Sequence, residues 1–262
     1  FVMNSVTPTN TVTVFRGQTE TGCYVWSPFV TKLEARLRFG KIAYRTEAGS
    51  VPNAPRGKVP YISIEDNDDK TLLSDSGLII KEFIKSGKLE DLNRNLSGTQ
   101  KLHDIALQAL LEDKLYFYGT QEKWVQNYYA MRDNVLGALP WPVRVIVGNI
   151  VYYKNVRNTM GQGTGRFSAE EIAAFRVDIW DTLNAAISES YAKNRGKQGP
   201  FWVWGGDEPT EADAVVYGFV VSGLMCGPAA PTTKGIIKSH PALMEYARRI
   251  HDAYFPDYEL QE

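Results

Sequence analysis

The chain is 262 residues long, is 44% hydrophobic and carries 29 basic and 30 acidic side chains. This is the composition of a folded globular protein, and the length is enough to bury one or two hydrophobic cores. The net charge of −1 at pH 7 provides no general attraction for polyanions. The sequence therefore predicts no nucleic-acid partner and no attraction to an anionic membrane.

The cysteines, the histidines and the longest apolar run exclude further classes of protein. Cys23 and Cys226 lie far apart and outside any C-x-x-C pair, and the three histidines are scattered, so we expect neither a disulfide scaffold nor a metal site. The apolar run from Ala212 to Met225 is too short and too interrupted to span a bilayer, and the first residues do not resemble a signal peptide. We expect a cytoplasmic protein without a membrane partner.

The first third of the chain mixes strand and helix signals. A helix is predicted from Ser27 to Gly40, because serine is favoured at an N-cap, proline in the first turn and glycine at the C-terminal end. A second helix is predicted over 76–86, and the acidic run over 65–69 is typical of a hairpin turn. Apolar and β-branched residues predict a mixed sheet of four strands, over 11–15, 42–46, 61–64 and 70–74.

From about residue 99 the strand signals disappear and helical periodicity takes over. We therefore predict two domains, an α/β domain over 11–88 and an all-helical domain over 99–262, with a linker over 89–98 between them. The glycine-rich segment from Arg157 to Phe167 is interpreted as a loop without an assigned role. Helices of the second domain are expected at about 100–118, 121–138, 141–157, 168–192, 210–225 and 239–253.

The start of the most apolar helix has a capping box. Thr210 and Asp213 stand at the spacing at which each side chain can bond the backbone N–H of the other, which satisfies two donors at the start of a buried helix. We interpret both residues as structural.

Two short motifs predict a small peptide-binding site. The segment Gly57 to Ile62 contains Val59-Pro60, and because proline restricts the residue before it, the backbone of Val59 is expected to be extended and free to pair with a peptide. Asp75 and Ser76 open the second predicted helix, where side-chain oxygens and unpaired N–H groups converge on a polar ligand.

Taken together, the Val-Pro strand start, the Asp-Ser helix start and the Thr-x-x-Asp capping box resemble the glutathione transferase superfamily over nearly the whole chain. The segments Ser27 to Glu34 and Gly57 to Ile62 are most similar to its failed-axon-connections and metaxin-like branch, especially fungal members. The resemblance implies a thioredoxin-like domain followed by an all-helical domain. It also implies glutathione as cosubstrate and a homodimer.

The same resemblance assigns the glutathione contacts. It implies that Pro60 is cis, that the backbone of Val59 pairs with the cysteinyl part of glutathione, and that Asp75 and Ser76 hold the γ-glutamyl end, with Lys58 also among the glutathione-binding residues. From the residues alone, Pro60 would be a trans proline at a strand start, and Asp75 and Ser76 a plain N-cap pair.

Catalysis requires a thiol to become a thiolate near neutral pH, and three residues of one loop are candidates to assist. A hydroxyl at a helix N-terminus stabilises a thiolate, and Ser27 combines both features, although it is also a simple N-cap. Tyr24 is a second candidate, through its phenolic hydroxyl. Cys23 is a third, because it could form a mixed disulfide with glutathione, although it also fits a small packed thiol.

The electrophile is expected to bind against the helical domain, where Tyr116 and Tyr128, together with Trp26 beside Ser27, are predicted to line an apolar pocket with polar tips. Aromatic residues at helical spacing are also typical of core packing, and this alternative stays open. The resemblance implies a detoxifying transferase that conjugates glutathione to a small apolar electrophile. An epoxide is preferred, and trichothecene toxins are the specific prediction. Two alternatives stay open at this point: a non-catalytic binding or assembly protein with the same fold, and a thiol transferase that acts through Cys23.

Overall fold

The computed structural model describes residues 11–66 and 69–260. Its first part has six elements, β1 (Thr11–Phe15), α1 (Pro28–Phe39), β2 (Tyr44–Glu47), β3 (Tyr61–Asp66), β4 (Asp69–Ser74) and α2 (Ser76–Lys85). The strands lie in the order β2-β1-β3-β4, with β1 parallel to β2 and the other two pairs antiparallel. The predicted mixed sheet of four strands is confirmed. Residues 67 and 68 of the predicted acidic turn lie outside the described residues.

The rest of the described chain is helical. Its elements are α3 (Gly98–Ala109), a π-helical segment (Leu110–Leu115), α4 (Tyr116–Thr120), a second π-helical segment (Gln121–Gln126), α5 (Tyr128–Val135), α6 (Trp141–Gln162), a 3-10 turn (Thr164–Arg166), α7 (Ala169–Lys193), α8 (Glu211–Met225), α9 (Pro231–Lys238) and α10 (Pro241–Tyr254). Within residues 11–66 and 69–260, none of the helices combines the length and apolar composition that a bilayer span requires.

Three sequence expectations in this helical part need correction. The predicted break near residue 120 is a π-helical segment, and the chain leaves helical geometry later, at Asn127. The predicted loop over 157–167 is largely the end of α6, which stops where Gly163 adopts a φ of 109°. Helix α9 was not expected, because its eight residues carry only a short apolar pattern behind Pro231.

Helix α8 is the centre of the helical core, and Asp213 fixes its start. The Asp213 carboxylate accepts from the backbone N–H of Thr210 at 2.8 Å and of Val203 at 2.7 Å, and from the hydroxyl of Tyr246 at 2.9 Å. The predicted capping box of Thr210 and Asp213 is present in both directions, and the hydroxyl of Thr210 also lies 3.0 Å from the Asp213 carboxylate, to which it donates. Burial outweighs these hydrogen bonds and raises the pKa of Asp213 to about 6.

Helices α1 and α8 pack with their backbones unusually close. A Cβ added to Gly218 in α8 would lie 2.5 Å from the carbonyl oxygen of Pro28 and 3.0 Å from the backbone nitrogen of Lys32. Because both neighbours are backbone atoms, they cannot rotate away. Glycine at this position therefore sets the distance between the helical core and the first turn of α1.

Replacing Gly218 with alanine should destabilise the fold. The added methyl group must push α1 away from α8, which we expect to lower the free energy of unfolding by about 1–3 kcal/mol. The matched control is Gly161→Ala in the last turn of α6, where a Cβ would have no neighbour within 4 Å and alanine should add about 0.5–1 kcal/mol. Urea unfolding of both variants measures the difference, and equal effects would contradict the close packing.

Candidate active site

The sheet brings the predicted site residues to one edge. Phe15 at the end of β1 pairs with Tyr61 at the start of β3, and Tyr61 pairs with Ser74 at the end of β4. The segments that continue from these residues therefore meet at the same edge. They carry Ser27 before α1, Val59-Pro60 before β3 and Asp75-Ser76 before α2.

The Val59–Pro60 peptide bond is cis, as the resemblance implies. The backbone N–H of Asp75 donates to the carbonyl of Pro60 at 3.4 Å, so the start of β3 and the start of α2 are tied together. Val59 is half-buried next to Gly17, where an added Cβ would meet its side chain at 3.4 Å. The loop after β1 thus covers one side of Val59.

Asp75 is the N-cap of α2 and has an unusual backbone, with φ 82° and ψ 119°. A residue other than glycine in this region stores about 1–3 kcal/mol of strain, and such strain is concentrated at functional sites. Its Oδ1 atom accepts from the N–H groups of Gly77 and Leu78, at 3.2 and 3.3 Å, and its Oδ2 atom accepts from Lys58 at 2.8 Å. A carboxylate has about four acceptor positions, so one more donor can bind at Oδ2.

The electrostatics of this N-cap favour an ionised carboxylate. Partial burial alone would raise the pKa of Asp75, but the Lys58 ammonium group and the N–H of Leu78 outweigh it and lower the pKa below its ordinary value. Ser76, the next residue, is buried at the first turn of α2. The pair therefore presents a fixed negative charge beside the N–H groups of a helix start.

Ser27 occupies the N-cap of α1, as predicted, but its side chain forms no capping hydrogen bond. Its carbonyl accepts from the N–H of Thr31 at 3.3 Å, and the residue is half-buried. The hydroxyl is therefore available to a group bound at the start of α1, where the helix presents unpaired N–H groups.

Tyr24 does not reach this edge. Its side chain is buried. Its hydroxyl forms hydrogen bonds with the hydroxyl of Tyr217 at 2.5 Å and with Nδ1 of His251 at 2.8 Å. Burial and the neighbouring Tyr217 raise the pKa of Tyr24 well above its ordinary value. A phenol in this environment is part of the helical core and is not placed to bond a thiol.

Cys23 is held against the C-terminal segment. Its backbone forms an isolated bridge with Glu259, and its carbonyl accepts from the guanidinium of Arg16. Burial outweighs the nearby Arg16 charge and raises the pKa of the Cys23 thiol. A thiol with a raised pKa is a poor nucleophile near pH 7, which disfavours the thiol-transferase alternative.

The three predicted pocket aromatics separate into two groups. Trp26 and Tyr128 both pack against one small cluster of buried residues, Trp124, Met131 and Ala229. Tyr116 packs instead against the main helical core, with its ring centroid 5.0 Å from that of Phe29 in α1. The loop after β1 also contacts α5, because the amide of Gln18 donates to Asn134 at 3.2 Å. Trp26 and Tyr128 therefore lie where the two parts of the chain meet.

Lys32 and Glu112 are the site residues that the sequence reading missed. Nζ of Lys32 in α1 lies 2.6 Å from Oε1 of Glu112 in the first π-helical segment, and the Lys32 side chain is 5% exposed. The same Nζ would be 3.9 Å from a Cβ on Gly77, so the ammonium group lies beside the start of α2. The signal in the sequence was a lysine, Lys32, among the apolar positions of α1. Because lysine is rarely buried unless it is paired, its position indicates a carboxylate partner.

Two family models match the chain. The glutathione S-transferase N-terminal domain matches residues 28–131, and the glutathione S-transferase C-terminal domain matches residues 201–250. The first match contains Val59, Pro60, Asp75 and Ser76, and it begins one residue after Ser27.

Similar proteins extend these matches to most of the chain. The isoprene-epoxide glutathione S-transferase of Rhodococcus sp. (strain AD45) is 30% identical over 87% of this chain and 92% of its own length. Metaxin-2 of Mus musculus is 25% identical over 78% of this chain and 73% of its own length. A crystal structure of a glutathione transferase from Phanerochaete chrysosporium has a TM-score of 0.60 at 14% identity, covers 93% of this chain and 98% of its own, and shows the shared fold.

Substitution of Glu112 by glutamine should destabilise the protein measurably. The change leaves the buried Lys32 ammonium without its carboxylate, and a hydrogen bond to a charged group contributes about 1.5–3 kcal/mol. Thermal and urea unfolding at pH 7 provide the measurement. The matched control is Asp207→Asn, whose carboxylate pairs with Lys197 at 3.4 Å with both side chains largely exposed, and which should leave stability unchanged. Unchanged stability in Glu112→Gln would show that the pair is not buried as described.

Proposed function

The chain belongs to the glutathione transferase superfamily and uses glutathione as its cosubstrate, and we propose that it conjugates glutathione to an epoxide. The observation that carries the proposal is the 30% identity, over 87% of the chain, to an enzyme named for isoprene epoxide and glutathione. The specific substrate we propose is the epoxide of a trichothecene toxin, in a detoxification reaction. The cytoplasmic location predicted from the sequence stays a prediction.

We assign the two predicted domains different parts of this reaction. Residues 11–88 would bind glutathione, with Lys58 and Val59 along its cysteinyl backbone and Asp75 and Ser76 at its γ-glutamyl end. The acceptor position left on Asp75 suits the α-amino group, and the helix start at Ser76 suits the carboxylate. Residues 99–262 would supply the wall of the electrophile pocket, with Trp26 from the first domain and Tyr128 from the second. Tyr116, which packs against the main core, is proposed as a further part of this wall.

The chemistry needs a thiolate at the start of α1. A free thiol has a pKa of about 8.5. Each unit by which the site lowers that pKa requires the thiolate to be stabilised over the thiol by about 1.36 kcal/mol. A hydrogen bond from the Ser27 hydroxyl and the N–H groups of the first helical turn can provide this amount. We therefore assign Ser27 the role of stabilising the glutathione thiolate.

The thiolate then opens the epoxide. A carbon–sulfur bond forms at one epoxide carbon, the bond from that carbon to the ring oxygen breaks, and the oxygen leaves with the electron pair as an alkoxide. The alkoxide takes up one proton, for which a pocket tyrosine hydroxyl or water is suitable. Holding both reactants in line and excluding water contributes the remaining rate enhancement.

Metaxin-2 is the relative that favours a different function. Its 25% identity over 78% of the chain supports a second candidate, a non-catalytic binding or assembly protein of the metaxin-like branch. A protein of that kind has no need of an ionised N-cap at Asp75 or of an uncommitted hydroxyl at Ser27. These two features make the transferase our first proposal.

Calorimetry with glutathione, followed by mass analysis after adding an epoxide, tests the proposal. We expect saturable binding and a product heavier by one glutathione, first with isoprene epoxide and then with a trichothecene. Binding without any epoxide product would limit the proposal to a glutathione transferase with another electrophile. Absence of glutathione binding would favour the assembly protein.

Ser27→Ala should weaken thiolate formation without abolishing glutathione binding. Loss of one hydrogen bond to the sulfur corresponds to about one pKa unit, so the pH profile of kcat/KM should move up by about one unit and activity at about pH 6.5 should fall roughly tenfold. Cys23→Ala is the control within the same loop and should retain the conjugation activity. The opposite pattern, with activity lost only in Cys23→Ala, would support thiol transfer instead.

A further inference from the structure

Helix α6 exposes a straight row of large apolar side chains. Five of them lie on one face of the helix, and each is 45–70% exposed. Their spacing follows the helical repeat, so they share an arc of roughly 100° around the helix axis. We name this row the α6 seam, and it consists of Val143, Ile146, Ile150, Tyr153 and Met160.

The other face of α6 packs on the helical part of the chain. Gly148 and Thr159 are buried opposite the α6 seam, and the helix contacts α4, α5 and the second π-helical segment. The α6 seam therefore faces away from the part of the chain that the structure describes. Trp141, the first residue of α6, is 70% exposed as well.

The sequence around α6 contains basic residues without acidic ones. The chain has 30 acidic side chains in 262 residues, yet none lies between Asp133 and Glu170. The same segment contains four cations, which are Arg144, Lys154, Arg157 and Arg166. The net charge of −1, from which we expected no attraction to a membrane, is an average over the whole chain and hides this local excess of positive charge.

Two of these cations lie at the α6 seam itself. Arg157 continues the row between Tyr153 and Met160, and Lys154 borders it, with both cations exposed. Long basic side chains can lie along an apolar surface while their charged ends stay in water. A helix with one apolar face, cations beside that face and a tryptophan at its start has the composition of helices that lie in the interface of a bilayer.

We propose that the α6 seam binds the surface of a membrane that contains anionic lipid, with α6 parallel to the plane of the bilayer. The seam is about 26 Å long, and a bilayer accepts a straight, convex helix along its whole length. The apolar side chains enter the boundary between headgroups and acyl chains. Lys154 and Arg157 reach the negatively charged headgroups. Binding of this kind is peripheral and needs no helix that spans the bilayer.

Charge favours a lipid surface over a second copy of the chain at this face. Two facing α6 helices would bring the three cations of each helix together, with no acidic side chain on either helix. An anionic bilayer supplies the missing negative charge. The proposal does not depend on the proposed function, since it concerns α6 and not the site at the edge of the sheet.

Co-sedimentation of the full chain with vesicles tests the proposal. Vesicles of phosphatidylcholine alone are compared with vesicles of phosphatidylcholine and phosphatidylserine. We expect binding to the mixed vesicles to be at least tenfold tighter than binding to phosphatidylcholine alone. Binding should weaken as the salt concentration rises from about 50 to 300 mM, because salt screens the attraction between the cations and the headgroups.

The charge variant is Lys154→Gln with Arg157→Gln. It should weaken binding to the mixed vesicles at least tenfold, because each cation near an anionic surface contributes to the attraction. Its matched control is Lys81→Gln with Lys85→Gln, two exposed lysines of α2, which should bind as the wild-type chain does.

The apolar variant is Ile146→Gln with Ile150→Gln. It keeps every charge and should also weaken binding at least tenfold, because the strength of binding scales with the apolar area that enters the bilayer. Its matched control is Leu102→Gln with Ile105→Gln, two similarly exposed side chains of α3, which should leave binding unchanged. Circular dichroism and urea unfolding check that all four variants fold.

A fluorescence measurement locates the contact on the chain. Tyr153→Trp places an environment-sensitive ring in the α6 seam. Its emission should move to shorter wavelength when mixed vesicles are added, because the ring leaves water. Vesicle binding without this shift would place the contact elsewhere and overturn the assignment to α6.

Three further outcomes would overturn the proposal. The first is a wild-type chain that does not sediment with the mixed vesicles. The second is equal binding to both kinds of vesicle at every salt concentration, which would exclude anionic lipid as the partner. The third is a chain that binds no vesicle but doubles its mass in sedimentation equilibrium unless Ile146 and Ile150 are replaced, which would assign the α6 seam to a second copy.

Discussion

The position of α1 on α8 is the constraint on which the rest of the molecule depends. Gly218 allows the two backbones to approach, and three charged residues of α1 are buried. Each of the three has an opposite charge from another part of the chain: Lys32 with Glu112, Glu34 with Arg16, and Arg36 with Glu211. A buried ion pair adds little net stability, but an unmatched buried charge is very costly. The three pairs therefore penalise any other placement of α1.

Fixing α1 in this way also fixes the site. The start of α1 carries Ser27, and the sheet edge carries Val59-Pro60 and Asp75. The distance from the Ser27 hydroxyl to these residues is therefore set by how α1 lies between the sheet and α8. Trp26, the residue before Ser27, is held from the other side, because the hydroxyl of Ser222 in α8 donates to its carbonyl at 2.7 Å. The site is thus supported from the helical core, although most of its polar groups belong to the α/β domain.

The sequence was informative where the signal is local. The Ser-Pro start of α1, the Asp-Ser start of α2 and the carboxylate of Asp213 at the start of α8 each follow from a few neighbouring residues, and the structure has all three. Tyr24 shows the limit of this reasoning. Tyr24 lies only three residues from Ser27. Its hydroxyl nevertheless forms hydrogen bonds with Tyr217 and His251, each of which lies roughly 200 residues further along the chain. Which face of a loop is buried depends on such distant partners, and no local pattern encodes it.

The two π-helical segments explain why the Lys32–Glu112 pair escaped prediction. In a π-helix each hydrogen bond spans one residue more than in an α-helix, so the side chains that follow rotate relative to the regular repeat. The first segment contains Glu112, opposite Lys32, and the second contains Glu122, which pairs with buried Arg176 at 2.8 Å and accepts from Thr232 and Thr233 at the start of α9. A periodicity of 3.6 residues read along this stretch places neither carboxylate correctly. Each segment thus directs an acidic side chain to a buried cation of another helix, Glu112 to Lys32 of α1 and Glu122 to Arg176 of α7. Because an unmatched buried charge is costly, these two pairs favour the placement of both segments against the helices that carry the cations.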